Sequence, residues 1–269
     1  MLGLIFGETQ FPKEILKTIK KLKLNYFIID LSTNRIFNKE KNVNYVSLGQ
    51  FGKIIEIIKS YKCKKIIFAG KVKKPNFSSL KLDLKGVYYI PKIIKAAKKG
   101  DAAILKEIIQ ILSKEKIKVL KSNHFNPELT LKKGIYTKKK PTKENLNSIK
   151  HGIKILNKQN SLDHIQGLVV DKNNKVYKEG RGGTKKLIYS IKKNKNLENL
   201  LIKFPKRKQD LRIDLPTIGI DTLKDCKKFF IKGIILKSNA NIFIDKKNCV
   251  NFANKNKIFI KVIWKKYLY

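Results

Sequence analysis

Within Gln209-Asp-Leu-Arg-Ile-Asp-Leu-Pro-Thr-Ile-Gly219, three charged side chains alternate with three apolar ones: Asp210, Arg212 and Asp214 against Leu211, Ile213 and Leu215. Alternation of period two predicts a strand over Leu211–Leu215 with one charged and one buried face. Neighbours on such a face stand roughly 7 Å apart, so Asp214 would lie near Arg212, while Asp210, ~13 Å from Asp214, could not share an ion with it. Asp214 would end the strand just before Leu215-Pro216, a place from which a rigid element presents a side chain to a cleft. A half-buried antiparallel strand with a solvated, salt-bridged face would show the same pattern.

Four further places carry residues of a suitable kind. Glu179-Gly-Arg-Gly-Gly-Thr-Lys-Lys186 is a glycine-rich turn running into a helix, whose amides and dipole could hold a phosphate. Its spacing is not that of a Walker A loop, and an ordinary turn with Thr184 as helix cap accounts for it equally well. Phe68-Ala-Gly-Lys-Val-Lys-Lys-Pro-Asn-Phe77 leaves a buried strand at its carboxyl end, where open α/β sheets collect ligands. Lys71, Lys73 or Lys74 could meet a diphosphate there, although in so lysine-rich a chain each also reads as a solvated bystander. Gly100-Asp101 opens a helix that could face a phosphate or turn the Asp101 carboxylate to a metal ion; plain capping by Asp101 is the simpler reading. Gly7-Glu-Thr-Gln-Phe-Pro12 follows the first strand without the GxGxxG spacing of a dinucleotide loop. His124, His151 and His164 show no metal-ligand spacing, and no Ser-His-Asp or Cys-His arrangement is evident. Cys63, Cys226 and Cys249 are odd in number and far apart, which predicts neither a disulfide framework nor a zinc site and suits a reducing compartment.

Periodicity supplies the elements that must position these residues. Leu2–Phe6 and Tyr26–Leu31 are apolar runs of strand length around a helix from about Pro12 to Leu22, an order that predicts a Rossmann-like parallel sheet. A helix over Phe51–Tyr61 puts Phe51, Ile54, Ile55, Ile58 and Tyr61 on one stripe, and Lys64–Ala69 follows as a strand ending at Gly70. After Pro91 a short helix precedes Gly100. A second helix, capped by Asp101, turns Ile104, Leu105, Ile108, Ile109 and Leu112 inward, and strand Ile117–Leu120 completes the sheet. Residues 132–143 shift to Lys, Thr, Gly and Pro141, the composition of a linker. The expected division is 1–135, a Rossmann-like amino-terminal domain; 136–143, the linker; and 144–269, a second α/β domain. That domain should hold a helix from Lys143 to Asn157 and a hairpin of Gly167–Val170 with Lys175–Tyr177 across Asp171–Asn174. Helix Lys185–Lys192, strand Leu200–Phe204, helix Thr222–Phe230, strand Gly233–Leu236 and a closing strand-helix-strand from Ile242 to Ile263 follow.

At 269 residues, with 42% of them apolar, the chain can bury a core from end to end. A formal charge of +42 ordinarily points to nucleic acid. Only Arg35, Arg181, Arg207 and Arg212 are arginine, however, and nucleic-acid readers exploit the bidentate arginine fork. Lys, Asn, Ile, Phe and Tyr are abundant together, the skew that AT-rich codons produce, so the charge reads as genomic background and no dedicated nucleic-acid partner is expected. A positive surface would still favour anionic metabolites and anionic lipid headgroups. Met1-Leu-Gly-Leu-Ile-Phe lacks the basic region and cleavage site of an export signal, and no stretch reaches ~18 apolar residues, so neither export nor membrane spanning is expected.

Leu2-Gly-Leu-Ile, Phe51-Gly-Lys-Ile, Phe68-Ala-Gly-x-Val-x-x-Pro-x-Phe77, Lys99-Gly-Asp-x-Ala-x-Leu105 and Lys206-x-x-Gln-Asp-x-Arg-x-Asp-Leu-Pro-Thr-Ile-Gly219 stand in an order shared with one family. Through them the chain resembles, over nearly its whole length, the LpxI family of UDP-2,3-diacylglucosamine pyrophosphatases of lipid A and lipopolysaccharide biosynthesis. The resemblance implies a Rossmann-like domain, a carboxyl-terminal α/β domain and a ligand cleft between them. It implies a cytoplasmic hydrolase, soluble or peripheral at the inner face of the inner membrane, with Mg²⁺ or another divalent cation such as Mn²⁺. Water would be directed at the phosphorus on the sugar side, giving UMP and 2,3-diacylglucosamine 1-phosphate. The aspartate of Asp-Leu-Pro-Thr-Ile-Gly, here Asp214, would be the residue tied most closely to catalysis, as metal ligand or as general base. Arg212 would act beside it, and Lys71, Gly100, Asp101, Thr184, Gln209, Asp210 and Thr217 would contact substrate. A carboxylate and a cation suffice, since diphosphate hydrolysis needs mainly a positioned water and neutralised phosphoryl oxygens.

Two departures bear on that resemblance. The family carries several glycines after its first strand where this chain has Gly7-Glu8-Thr9, and it reads Glu-Gly-Thr-Asp where this chain has Gly182-Gly-Thr-Lys185. Loss of the acidic pair keeps a non-catalytic sugar-nucleotide or lipid-binding homologue as an alternative, beside a basic nucleic-acid-binding protein.

Overall fold

The computed structural model of the chain describes residues 1–73, 81–160, 165–180, 182–207 and 209–264. Lys74, Phe77, His164 and Arg181, named above, lie outside the described residues. The chain divides into two compact units, Met1–Pro127 with Asp210–Asp214, and Glu128–Gln209 with Leu215–Tyr269.

In the first unit the elements are β1 (Leu2–Phe6), α1 (Gln10–Lys21), β2 (Tyr26–Asp30), β3 (Val43–Tyr45), α2 (Phe51–Ser60), β4 (Lys65–Ala69), α3 (Leu84–Ala97), α4 (Asp101–Lys114) and β5 (Lys118–Val119). All five strands are parallel, in the order β3-β2-β1-β4-β5, which is the expected Rossmann-like sheet. β1 is buried along its whole length, as a strand covered on both faces must be. The predicted stripe of α2 is also present: Phe51, Ile54, Ile55 and Ile58 are buried with Ile5, Phe27 and Ile66, and Tyr61 stacks on Phe27 with ring centroids 4.3 Å apart. From β1 the sheet grows outward to β2 and β3 on one side and to β4 and β5 on the other. The β1–β4 junction is therefore a topological switch point, where ligands of open α/β sheets gather at the carboxyl ends of the strands.

Two helix starts depart from expectation. α3 does not wait for Pro91 but begins at Leu84, with the proline inside it. Asp83 accounts for the early start. Its carboxylate accepts from the amide of Gly86 at 2.6 Å and from those of Gly52 and Lys53 at 3.1 and 2.7 Å, capping α3 and clamping it to the beginning of α2. At the start of α4 the cap is Gly100, at φ 109°, and Asp101 stands in the first turn instead of at the cap. Of the α4 residues expected to face inward, Ile109 and Leu112 are buried and Ile104 and Ile108 pack against the same core.

The strand expected over Leu211–Leu215 is not formed. Residues 211–213 make a turn in which the amides of Ile213 and Asp214 both donate to the Asp210 carbonyl, at 3.1 and 3.0 Å. Asp210 drives it, since its carboxylate also accepts from the Arg212 amide two residues on, at 2.9 Å, a local bond that competes with any strand ladder. As a result the apolar residues share no face: Ile213 packs on the first unit's core, whereas Leu211 is exposed.

The second unit contains β6 (Gly134–Ile135), α5 (Lys143–Asn160), β7 (Gly167–Val170), β8 (Val176–Lys178), α6 (Gly183–Ser190), β9 (Asn199–Lys203), β10 (Thr217–Ile218), α7 (Ile220–Lys228), β11 (Ile231–Lys237), β12 (Ile242–Phe243), α8 (Lys246–Lys255) and β13 (Phe259–Ile263). Residues 136–143 belong to this unit. Its sheet runs β6-β13-β11-β9-β7-β8, with a parallel centre of β13, β11 and β9 and antiparallel edges. Hairpin β7–β8 forms as predicted, held at its turn by Asp171, whose carboxylate accepts from the amides of Asn173 and Lys175 at 2.9 Å each. β10 and β12 pair as a separate two-stranded parallel ribbon.

Candidate functional site

Parallel strands end on one side, so the first unit has a single rim of strand exits. At the switch point the loops leaving β1 and β4 are joined by backbone: Glu8 N donates to Lys71 O at 2.8 Å and Lys71 N to Glu8 O at 2.7 Å. Glycine makes this approach possible. A Cβ on Gly7 would stand 2.5 Å from the Lys71 carbonyl oxygen, and one on Gly70, at φ 89°, would stand 2.6 Å from the Glu8 carbonyl oxygen. Thr9 follows at φ 115° and ψ 172°, a backbone region that belongs almost wholly to glycine. The chain thus keeps a glycine conformation at a position where it carries a β-branched residue. The Lys71 side chain is exposed on this rim, and the Glu8 carboxylate reaches the loop after β2, accepting from Thr33 N at 3.3 Å. Gly100 leaves open space where a Cβ would project, and Asp101 is exposed beside it.

The turn Asp210–Asp214 belongs to the same rim at the exit of β5, where Ser122 N donates to Arg212 O at 2.6 Å. Arg212 does not face Asp214 as the alternation predicted. Its guanidinium is directed at Asp210, with Nε 3.0 and 3.2 Å from the two carboxylate oxygens and Nη2 2.7 Å from Oδ2. Those bonds hold the Asp210 carboxyl below the usual aspartate range, against a smaller upward push from partial burial. Asp214, half-buried, closes the turn through its amide and precedes Leu215-Pro216. Arg212 also lines a groove of about 640 Å³ with Lys116, Lys118, Lys121 and His124, between the end of α4 and β5.

In the second unit the carboxyl end of β9 gathers a polar cluster of which sequence reasoning named Thr184, within the Glu179–Lys186 turn, but missed Lys203. Lys203, the last residue of β9, is buried and donates through Nζ to Thr184 Oγ1 at 2.5 Å. Thr184 in turn donates to Oε1 of the buried Glu179 at 2.9 Å, so a threonine hydroxyl bridges a lysine and a carboxylate. Thr184 is not the helix cap; Gly182 holds that place and Thr184 stands in the first turn of α6. Its hydroxyl proton is spent on Glu179, which leaves Lys203 as the cation of the cluster. Asn241 ties β9 to β11, donating to Lys203 O and accepting from Lys237 N, both at 3.0 Å. Next to it, β10 lies on β12 with Thr217 opposite Ile242, and the Thr217 hydroxyl donates to Leu215 O at 3.3 Å. Gln209 is buried in a reciprocal pair with Lys206, its Oε1 accepting from Lys206 N at 2.8 Å and its own amide donating to Lys206 O at 3.2 Å. The available signal for this cluster was Glu179, the single carboxylate between Asp171 and Glu198.

Among the described residues no group of three or more His, Cys, Asp or Glu side chains is placed to hold a metal ion. Mg²⁺ commonly takes one or two carboxylates and completes its shell with water and substrate phosphate oxygens, and that smaller requirement is compatible with Asp214.

Residues 1–129 match the family model of the LpxI N-terminal domain and residues 132–261 that of the LpxI C-terminal domain. The UDP-2,3-diacylglucosamine pyrophosphatase LpxI of Caulobacter vibrioides is 27% identical over 271 residues, covering 96% of this chain and 96% of that protein. With both of its halves matched in order, the chain belongs to the LpxI family.

Proposed function

We propose that this chain is a hydrolase that cleaves the diphosphate of UDP-2,3-diacylglucosamine, giving UMP and 2,3-diacylglucosamine 1-phosphate for lipid A assembly. One observation carries the reading: a full-length match to a pyrophosphatase in a chain that holds Asp214 at the end of a turn on a strand-exit rim, directly before Leu215-Pro216-Thr217-Ile218-Gly219. In this proposal Asp214 holds the attacking water or the divalent ion. When bound, Mg²⁺ would draw negative charge from the phosphoryl oxygens. Lys71, exposed at the switch point, meets a phosphate oxygen. Arg212 acts through Asp210: its guanidinium keeps that carboxylate charged and the turn closed, which fixes the direction of Asp214. Lys203, steadied by Thr184 and Glu179, is a buried cation of the second unit.

Incubation of the purified protein with Mg²⁺ and UDP-2,3-diacylglucosamine should release UMP. Asp214→Ala should lower the rate at least a hundredfold with an unchanged thermal midpoint, and chelation with EDTA should stop turnover reversibly. Well-folded protein that releases no UMP with Mg²⁺ or Mn²⁺ would remove the proposal.

A further inference from the structure

Exposed apolar side chains are scattered singly over most of the described surface, with one exception. Leu82 (40% exposed), Leu84 (93%), Val87 (60%) and Tyr88 (62%) fall within seven residues. Three of them ride on α3, and with the exposed Pro91 they occupy positions i, i+3, i+4 and i+7, one continuous stripe of the helix. The opposite stripe is already used, because Gly86, Ile90 and Ile93 are buried. Nor can α3 roll to hide its outer face, since the Asp83 carboxylate clamps its first turn to α2.

The charge around this stripe has one sign. Lys81, Lys85, Lys92, Lys95, Lys98 and Lys99 lie within residues 81–99, and the one carboxylate there, Asp83, faces backbone amides. Lys92 Nζ stands 4.1 Å from the centre of the Tyr88 ring, so cation and aromatic share one edge of the stripe. A helix with apolar and aromatic residues on one face and lysines beside them is built to lie at the boundary of headgroups and acyl chains. A second copy of the chain docked here face to face would oppose six lysines with six, and nucleic acid would leave Leu84 and Val87 without a role.

We infer that the outer face of α3 docks on an anionic phospholipid bilayer, with Leu84, Val87 and Tyr88 entering the boundary and the flanking lysines meeting lipid phosphates. This rests on the face itself and not on the hydrolase reading. The test uses the full chain with vesicles of phosphatidylcholine alone or with one quarter phosphatidylglycerol, at 0.15 M salt. Binding should require phosphatidylglycerol. The charge-conserving triple variant Leu84→Ser, Val87→Ser, Tyr88→Ser should bind at least tenfold more weakly, which attraction of a basic protein by charge alone would not produce.

A Val87→Cys variant carrying an environment-sensitive dye should brighten on anionic vesicles, while a Lys17→Cys control on α1 should not; the native thiols are buried and stay unlabelled. Equal vesicle binding by the native and triple-variant proteins, or no change at position 87, overturns the inference. So does concentration-dependent self-association that the triple variant abolishes while vesicle binding persists, which assigns the face to a second copy. A raised KM for detergent-dispersed substrate with vesicle binding intact assigns it to the substrate's own acyl chains and also overturns it. UMP release from dispersed substrate is a separate measurement, so failure of either proposal leaves the other standing.

Discussion

The Asp210 carboxyl stays ionised to a lower pH than an ordinary aspartate because the Arg212 guanidinium and the Arg212 amide both donate to it. A group whose folded-state pKa is depressed stabilises the fold above its unfolded pKa, near 3.9, and loses that contribution as pH falls through the lower folded value. Asp210→Asn should therefore destabilise the protein at pH 7 and cost nothing further once both forms are protonated. The pair is partly solvated, so the difference at pH 7 should be about 1 kcal/mol or less. Urea titrations of both proteins at pH 7 and near pH 3 measure it. A gap that is as wide in acid as at neutral pH would mean that the side chain matters through shape and not through charge.

At the scale of elements, the cluster at the end of β9 raises the sharper energetic question. Lys203 and Glu179 are both buried, and the Thr184 hydroxyl bridges them. Breaking a buried pair by removing one partner typically costs about 3–5 kcal/mol, because the other charge is left behind. Lys203→Met should lose stability on that order, Glu179→Gln should lose less, and the double variant should recover at least about 1 kcal/mol relative to the sum. Simple additivity in the denaturant titrations would show that the two charges do not feel each other. Little of this arrangement was legible beforehand: in a chain with 62 basic residues, one lysine at the end of Asn199–Lys203 looks like all the others. Apolar periodicity, by contrast, gave the Rossmann-like sheet, the stripe on α2 and the hairpin of β7 with β8, because burial sets those patterns directly. It misread Asp210–Asp214 for a specific reason. Alternation records which residues are apolar, whereas the turn is decided by an aspartate bonding to the amide two residues later. Pro91 misled similarly, since a proline reads as a boundary unless the cap that starts the helix upstream, here Asp83, is recognised.

For the whole molecule the consequence is that the first compact unit is not continuous in the chain. Five residues from far downstream belong to it, supplying the Arg212 carbonyl to the Ser122 amide and the Ile213 side chain to the core around α2 and α4. A fragment ending at Pro127 would lack both. Loss of one buried hydrogen-bond acceptor and one apolar contact is worth about 1–3 kcal/mol. The three cysteines provide a way to see this, because Cys63 lies in the first unit and Cys226 and Cys249 in the second, and all are buried as free thiols. Burial pushes the Cys249 thiol up to about 12 and raises that of Cys226 well above the ordinary range, so neither supplies thiolate to a reagent while the second unit is folded. Native protein at pH 8 should accordingly resist thiol labelling, and labelling with increasing urea should report each unit by its own cysteine. In the fragment Met1–Pro127, Cys63 should become reactive at a lower urea concentration than in the full chain, and the Ser122 amide should exchange faster. Identical Cys63 midpoints would show that Asp210–Asp214 merely rests on the first unit without stabilising it. The rigidity assigned to Asp214 would then have to come from Leu215-Pro216 alone.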